Sequence, residues 1–311
     1  MEHIYDMTVI GGGPAGYTAA LYAARAGLDT LVIERMSIGG QMALTNVIDN
    51  YPGFDEGIDG FTLGERMQAG AEKFGAKTAY AEVVSVSLEG AVKEIRTMGE
   101  TYLSRTVVIA TGADPRRLGI DGEDALIGRG VHYCAHCDGR FYKDKTVVVV
   151  GGGNSAVSDA LYLSRLAKEV LLVHRRDTLR ATKIYHDPLM RAQNVSFLWN
   201  STVSELLTDG TRLTGVKLRD VGSGEARDVL CDGVFVSIGR QPSTALFEGL
   251  LPTDQGGYLV ADETTKTPIA GVFAVGDVRT KELRQVVTAV ADGAVAAHCA
   301  EQYIIRGNFL N

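Results

Sequence analysis

The stretch that decides the fold is Ile4-Tyr5-Asp6-Met7-Thr8-Val9-Ile10-Gly11-Gly12-Gly13-Pro14-Ala15-Gly16. An apolar, β-rich run (Ile4–Ile10) enters Gly11-x-Gly13-x-x-Gly16, an alanine-rich helical segment runs to about Ala26, and a second apolar run, Thr30–Ile33, closes on Glu34. The same grammar returns as Thr146–Val150, Gly151-x-Gly153-x-x-Ala156, a helix to about Leu166, and Val170–Val173 followed by His174-Arg175-Arg176. Each copy reads as a βαβ nucleotide-binding unit, because the glycines permit the tight turn, let a pyrophosphate approach the backbone, and leave it at a helix N-terminus. One such motif alone is a weak sign; two, each after a strand and opening a helix, reinforce one another.

The two units end in opposite charge. Glu34 stands 23 positions after Gly11, close to the roughly 20-residue offset at which a carboxylate accepts hydrogen bonds from a ribose diol. The first unit therefore suits an unphosphorylated adenosine ribose, as in FAD or NAD, with a plain surface Glu as the bland alternative. The corresponding place in the second unit holds His174-Arg175-Arg176, with Arg180 four residues beyond Arg176. Guanidinium groups pair with a 2′-phosphate that a carboxylate would repel, which favours NADPH over NADH.

Between the units lies Cys134-Ala135-His136-Cys137-Asp138. A zinc site would need two more ligands, and Cys231 and Cys299 stand alone; no metal is expected. A redox pair needs an accessible thiolate and a resolving thiol close by, which a C-x-x-C supplies. Asp138 can shuttle the proton that thiol–disulfide exchange takes up or releases. His136 is either an exposed spacer or, when protonated, a stabiliser of a neighbouring thiolate.

Other segments organise the chain. A helix is predicted from Thr62 to Phe74, alternating β-like segments from Glu82 to Tyr102, strand-like runs around Thr211–Leu218 and Gly233–Ile238, and an alanine-rich helix from about Val286. Asp114-Pro115 and Gly239-Arg240-Gln241-Pro242 break the pattern and read as linkers. The first unit lacks a terminal portion and the tail beyond Pro242 matches no part of the second, so one domain is inserted into the other. With 311 residues, 45% hydrophobic and 22% charged, the chain has length for two such domains. Its net charge of −7 argues against nucleic-acid and anionic-membrane partners. No apolar run approaches a spanning helix, and Met1-Glu2-His3-Ile4-Tyr5-Asp6 lacks the pattern of a leader, so a cytoplasmic location is expected.

Two dinucleotide units flanking a C-x-x-C resemble the low-molecular-weight, bacterial-type thioredoxin reductases over essentially the whole length. Gly39-Gly40-Gln41, Thr45 and Asn50-Tyr51-Pro52-Gly53 are similar to that family's flavin-contacting stretch, Ala110-Thr111-Gly112 to its A-T-G turn, and Gly276-Asp277 with Arg284-Gln285-Val286 to its flavin-completing tail. Cys134-Ala-x-Cys137-Asp138-Gly139 resembles its active-site signature, and His174-Arg175-Arg176-Asp177 with Arg180-Ala181 its NADPH signature. His136 and Arg140 depart from the commoner residues, which bears on redox potential and partner preference.

The resemblance implies an α/β protein of two Rossmann-like, three-layer domains. An FAD domain (1–113 and 244–311) would enclose an NADPH domain (114–243) that carries the redox pair. FAD would be bound by Gly11, Gly13, Pro14, Ala15, Glu34, Arg35, Gly40, Gln41, Thr45, Asn50, Ala110, Thr111, Gly112, Gly276, Asp277, Arg284, Gln285 and Val286. NADPH would be bound by Gly151, Gly153, Asn154, Ser155, His174, Arg175, Arg176, Arg180 and Arg240. By the same resemblance the enzyme is a homodimer, hydride passes from NADPH to the flavin, Cys137 faces the flavin, Cys134 attacks the disulfide of a thioredoxin or thioredoxin-like protein, and Asp138 is the acid–base group.

A disulfide packed on the flavin cannot at the same time be touched by a protein substrate, so a two-state domain rotation about the linkers near Pro115 and Pro242 is expected. The nearest rival is a flavoprotein disulfide reductase serving another carrier, glutaredoxin-like or peroxidase-associated. A dithiol oxidase would not need the second nucleotide unit, and a non-catalytic flavin module would not need the cysteine pair.

Overall fold

The computed structural model describes residues 3–35, 38–45 and 47–308; Met1-Glu2 at the start of the chain and residues 309–311 at its end, all within the outer domain as read above, lie outside the described residues. The chain folds as two compact units, one of Met1–Asp114 with Gln241–Asn311 and one of Pro115–Arg240.

The first unit begins with β1 (Ile4–Ile10), α1 (Pro14–Arg25), β2 (Thr30–Glu34), α2 (Gly60–Glu72) and β3 (Lys77–Tyr80). The meander β4 (Val83–Ser87), β5 (Lys93–Thr97) and β6 (Thr101–Ile109) follows, and the chain leaves through β7 (Ala113–Pro115). The second unit has β8 (Val131–His132), the short α3 (Ala135–Asp138), β9 (Thr146–Val150), α4 (Asn154–Leu163), β10 (Glu169–Val173), α5 (His186–Arg191) and β11 (Val195–Leu198). An antiparallel sheet of β12 (Ser201–Thr208), β13 (Leu213–Asp220) and β14 (Ala226–Leu230) and then β15 (Gly233–Val236) complete it. The chain returns through β16 (Arg240–Pro242), which pairs with β7, and ends with β17 (Val272–Ala274) and α6 (Val286–Asn308).

Both units follow one plan. In the first, β3, β2, β1, β6 and β17 form a parallel sheet, and β4 and β5 extend the far part of β6 antiparallel. In the second, the order is β11-β10-β9-β15-β8. The edge strand β17 comes from after the βαβ core, whereas its counterpart β8 comes from before it. That difference places β8 immediately ahead of Cys134.

Period-two alternation sorts the strand residues into two cores. Met7, Val9, Val32, Val108 and Phe273 pack under the alanines of α1 and α6, while Leu31, Ile33, Val107, Ile109 and Val272 face the meander and Phe247, Leu251 and Leu259. Likewise Val147, Val149, Leu172 and Phe235 lie under α4, and Val148, Val150, Val173 and Val234 face β12 and β13. Strands buried on both faces need continuous apolar runs, which is why the Thr146–Val150 run holds four valines in succession.

Two helix limits differ from the sequence expectation. The helix expected over Thr62–Phe74 spans Gly60–Glu72, because the Asp59 carboxylate accepts a hydrogen bond from the Thr62 N–H (2.8 Å) and so caps an earlier start. The helix expected to reach about Leu166 stops at Leu163, where Leu166 N–H turns back to the Leu163 carbonyl at 2.9 Å. Among the described residues no helix is long and apolar enough to cross a membrane.

Candidate active site

Parallel pairing brings the chemistry of the second unit to one edge. β8, β9, β10 and β15 run in the same direction, so the residues beyond their carboxyl ends, Cys134, Gly151, His174 and Ser237, emerge side by side. Such edges are where open α/β sheets bind ligands.

Cys134 and Cys137 are joined as a disulfide, their Cα atoms 5.3 Å apart, and both are half-buried. Cys134 precedes α3 and its sulfur accepts a hydrogen bond from the Cys137 N–H (3.2 Å). α3 is pinned to α4: Ala135 is buried in the α4 core, and the His136 ring stacks on Tyr162 with centroids 4.3 Å apart. His136 Nδ1 also lies 3.9 Å from Asp159 Oδ1. Burial pushes the Asp159 carboxyl up, against the Ser237 hydroxyl that donates to it and the charges of His136 and Arg240. His136 therefore ties the redox turn to the nucleotide helix, a contact that neither of its two sequence readings includes. The solitary Cys231 is buried, and burial pushes its thiol up to about 12, while Cys299 is half-buried on α6.

The glycine turn of the second unit is built round His174. An ideal Cβ on Gly152 would fall 2.4 Å from His174 Cε1, so the ring sits beneath the turn and only glycine admits it. His174 is 5% exposed and packs edge-on to Trp199. Burial lowers its pKa and the charges of Arg180, Arg176 and Arg175 lower it further, so the ring is neutral at neutral pH. His174 stands the same 23 positions after Gly151 as Glu34 after Gly11. It thus acts as the floor of the turn, while the exposed guanidinium groups of Arg175, Arg176 and Arg180 are the ones placed to meet an anion. The Arg180 and Ala181 N–H groups both donate to the Gly152 carbonyl (2.7 and 3.1 Å), and Asn154 Oδ1 accepts from the Thr182 N–H (2.8 Å). These bonds hold the arginine loop against Asn154 and Ser155 at the start of α4. Arg240, in β16, is half-buried.

The first unit repeats the device with a carboxylate. Gly11 adopts φ 110°, and a Cβ there would fall 2.4 Å from the Ala110 carbonyl oxygen, so the A-T-G turn and the glycine turn are in contact. Glu34 Oε2 accepts from the Gly12 N–H at 2.7 Å. Thr111 Oγ1 donates to the Ser243 carbonyl (2.8 Å), and the Gly112 carbonyl accepts from the Ser243 N–H (3.0 Å). Gln41 Nε2 donates to Asp114 (2.6 Å), and Asn50 Nδ2 to Gln285 Oε1 (3.0 Å). Gly40 opens a short 3-10 turn that ends at Thr45, Gly276 and Asp277 form another beside Ala15, and Val286 begins α6. Arg35 faces Glu82 at 3.9 Å, and the Arg284 guanidinium lies 3.9 Å over the Tyr258 ring and donates to the carbonyls of Asp277 (3.5 Å) and Arg279 (3.2 Å).

Both turns fit a dinucleotide. A Cβ on Gly13 or on Gly153 meets no atom within 4 Å, which leaves open space over the first N–H groups of α1 and α4 for a pyrophosphate. A carboxylate beside the first turn and guanidinium groups beside the second match FAD and NADPH respectively.

Two residues near the redox pair escape a reading by motif. His132 Nδ1 lies 3.0 Å from Asp138 Oδ2, and His132 Nε2 lies 2.6 Å from the Tyr142 hydroxyl. The available signal is a histidine inside an apolar strand run two residues ahead of Cys134.

The sequence profile of the family described as pyridine nucleotide-disulphide oxidoreductase matches residues 5–293. The chain is 49% identical over 303 residues to the thioredoxin reductase of Listeria monocytogenes, covering 97% of this chain and 95% of that one. It is similar to the crystal structure of thioredoxin reductase from Streptococcus pyogenes, with 43% identity, a TM-score of 0.92, and coverage of 98% of this chain and 100% of that one. It is similar also to a Lactococcus lactis thioredoxin reductase described as in the FR conformation, with 41% identity, a TM-score of 0.68, and coverage of 97% and 99%.

Proposed function

Because this chain belongs to the thioredoxin reductases of the pyridine nucleotide-disulphide oxidoreductase family, we propose that it reduces the disulfide of a thioredoxin at the expense of NADPH, through FAD and the Cys134–Cys137 pair. The observation that carries the reading is the disulfide's position at the same carboxyl edge as the arginine-flanked glycine turn. When bound, NADPH supplies a hydride and FAD passes its two electrons to the disulfide.

The chain's own groups do the rest. Glu34 and the Gly11–Gly13 turn hold one nucleotide, and Arg175, Arg176 and Arg180 select the phosphorylated ribose of the other. Once the pair is reduced, the Cys134 thiolate attacks one sulfur of the partner's disulfide, forming a mixed disulfide and releasing the other sulfur as thiolate. Cys137 then attacks Cys134, which re-forms the internal disulfide and frees the partner as a dithiol. Two protons end on the partner's sulfurs, and Asp138, the residue after Cys137, is placed to move one of them.

The test is NADPH consumption by the purified flavoprotein with oxidised thioredoxin, with NADH in parallel. Rapid oxidation of NADPH and far slower oxidation of NADH are expected. Flavin bleaching without turnover would point instead to a glutaredoxin-like or peroxidase-associated carrier. Arg175→Ala with Arg176→Ala should cost about 100-fold in kcat/KM for NADPH, two charge-assisted contacts' worth, and leave NADH almost unaffected; equal losses with both would remove these arginines from phosphate recognition.

The reading includes a rotation of the two units about the paired segments β7 and β16. Solved relatives at 43% and 41% identity superpose on this chain with TM-scores of 0.92 and 0.68, a gap that supports more than one arrangement of the same parts among such enzymes. An engineered cross-link between the units should stop thioredoxin turnover while FAD stays bound; undiminished turnover would refute the rotation. A homodimer, on the family alone, and a cytoplasmic location, on the sequence reading given above, complete the proposal.

A further inference from the structure

His132 closes β8 and is 6% exposed. Its ring stacks on Phe235, its partner in the parallel register, and meets Tyr142 edge-on. A buried imidazole is costly unless both nitrogens are satisfied. Here they are satisfied by groups of different kinds: Asp138 at Nδ1 (3.0 Å) and the Tyr142 hydroxyl at Nε2 (2.6 Å).

An ionised Asp138 carboxylate can only accept, and 3.0 Å from Nδ1 it decides where the ring proton lies. Burial first, and then the charge of Asp138, push the phenol's pKa up, so Tyr142 keeps its proton and its hydroxyl can donate to Nε2. Nε2 is then the acceptor, Nδ1 carries the hydrogen, and Nδ1–H donates to the Asp138 carboxylate. The titratable and charged groups packed round this pair are Asp138, Tyr142, Cys231 and Asp232, with Lys145 Nζ 5.4 Å from the Tyr142 ring centroid.

We infer that His132, backed by Tyr142, is a positioning residue for the disulfide step, holding the Asp138 carboxylate at the redox turn in both of its protonation states. The inference rests on the acid–base role of Asp138 proposed above. A neutral imidazole offers a donor at one nitrogen and an acceptor at the other in either order, and a hydroxyl serves either. The same contact therefore survives whether Asp138 is ionised or has taken up a proton. An orienting partner of this kind resembles in logic the carboxylate that orients a catalytic histidine, with the roles exchanged.

The test uses the FAD-loaded enzyme and three readouts: flavin bleaching by NADPH, thioredoxin reduction against pH, and alkylation of the reduced pair by iodoacetamide against pH. His132→Ala should slow thioredoxin reduction by about 10- to 100-fold, less than loss of a general acid can cost. Losing the donor makes the carboxylate less stable, so both pH profiles should move upward by about one unit, with flavin bleaching at the parent rate. His132→Asn, whose amide N–H stands near the place of Nδ1–H, should recover most of the rate. His132→Ala added to Asp138→Asn should cost nothing further.

Unmoved pH profiles in His132→Ala, or losses that add to those of Asp138→Asn, would overturn the inference. Normal turnover in Asp138→Asn would instead remove the acid–base role of Asp138, and this inference with it. If His132→Ala does not retain flavin, Tyr142→Phe carries the test: loss of that hydroxyl alone should shift the same profiles, and unshifted ones would overturn it.

Discussion

Cys134→Ser is expected to lose thioredoxin reduction by about 1,000-fold or more while NADPH still bleaches the flavin at close to the parent rate. The two steps use different groups: the nucleotide turns, their glycines and their flanking charges remain, but no thiolate is left to open the partner's disulfide. Cys137→Ser should be as inactive in turnover for a different reason. Its Cys134 can still attack, yet nothing resolves the mixed disulfide, so a covalent complex with thioredoxin should accumulate and be visible on a non-reducing gel. The half-buried setting of both sulfurs gives no reason to prefer one as the attacker, which makes the trapping result informative. A complex that forms with Cys134→Ser and not with Cys137→Ser would reverse the two roles; thioredoxin turnover unchanged in both would move the chemistry away from this pair.

The second large effect is expected far from the sulfurs, at Asp292→Ala. Asp292 lies on α6, 6% exposed on its side chain, and its carboxylate accepts from Arg279 Nε and Nη2 at 2.8 Å each, from Lys281 Nζ at 2.8 Å, and from the Gly276 N–H at 2.8 Å. Arg279 is itself 1% exposed. Removing the anion leaves buried Lys281 without a carboxylate and buried Arg279 with only the exposed Glu263 at 3.4 Å, a change of the kind that costs about 3–5 kcal/mol when one partner of a buried pair is deleted. Against a total stability of about 5–15 kcal/mol for an ordinary domain, that is enough to lower the melting temperature of the first unit by many degrees. Gly276 belongs to the segment that resembles the flavin-completing tail, so FAD should also be retained more weakly. Calorimetry and the flavin content of the purified variant check both; a parent-like melt with full flavin would show that the cluster relaxes or admits water.

The same carboxylate predicts a pH dependence. Burial alone would raise its pKa, but the hydrogen bonds and charges of Arg279 and Lys281 outweigh burial and hold it below the usual carboxylate range. A depressed folded-state pKa means that the stabilisation is fully present above the unfolded value and is lost as pH falls through the folded one. The parent protein should therefore lose stability on acidification in a way that Asp292→Asn, already without the charge, does not.

Much of this enzyme can be read along one dimension. Ile4–Ile10 and Thr146–Val150 announce strands buried on both faces, the glycine turns announce helix N-termini, and Glu34 and His174 fall at the same offset from Gly11 and Gly151. Cys134 and Cys137 are close because three residues of chain make them close. Such features depend on local backbone preference and on spacing within a single βαβ unit, and those are properties of sequence.

The tertiary structure alone decided the rest. His174 belongs to the arginine run in sequence, yet in space it is the neutral floor beneath Gly152, because the turn passes over the end of β10 at the point where that ring rises. His132 meets Asp138 and Tyr142 only because β8 joins the sheet in parallel beside β15 and the chain then folds back over the redox turn. Arg279, Lys281 and Asp292 form one buried cluster only because α6 packs against the loop that follows β17. Which charges share a buried site depends on strand order, register and helix packing, and in a low-dielectric interior it is that company, more than residue type, that sets what an ionisable group can do.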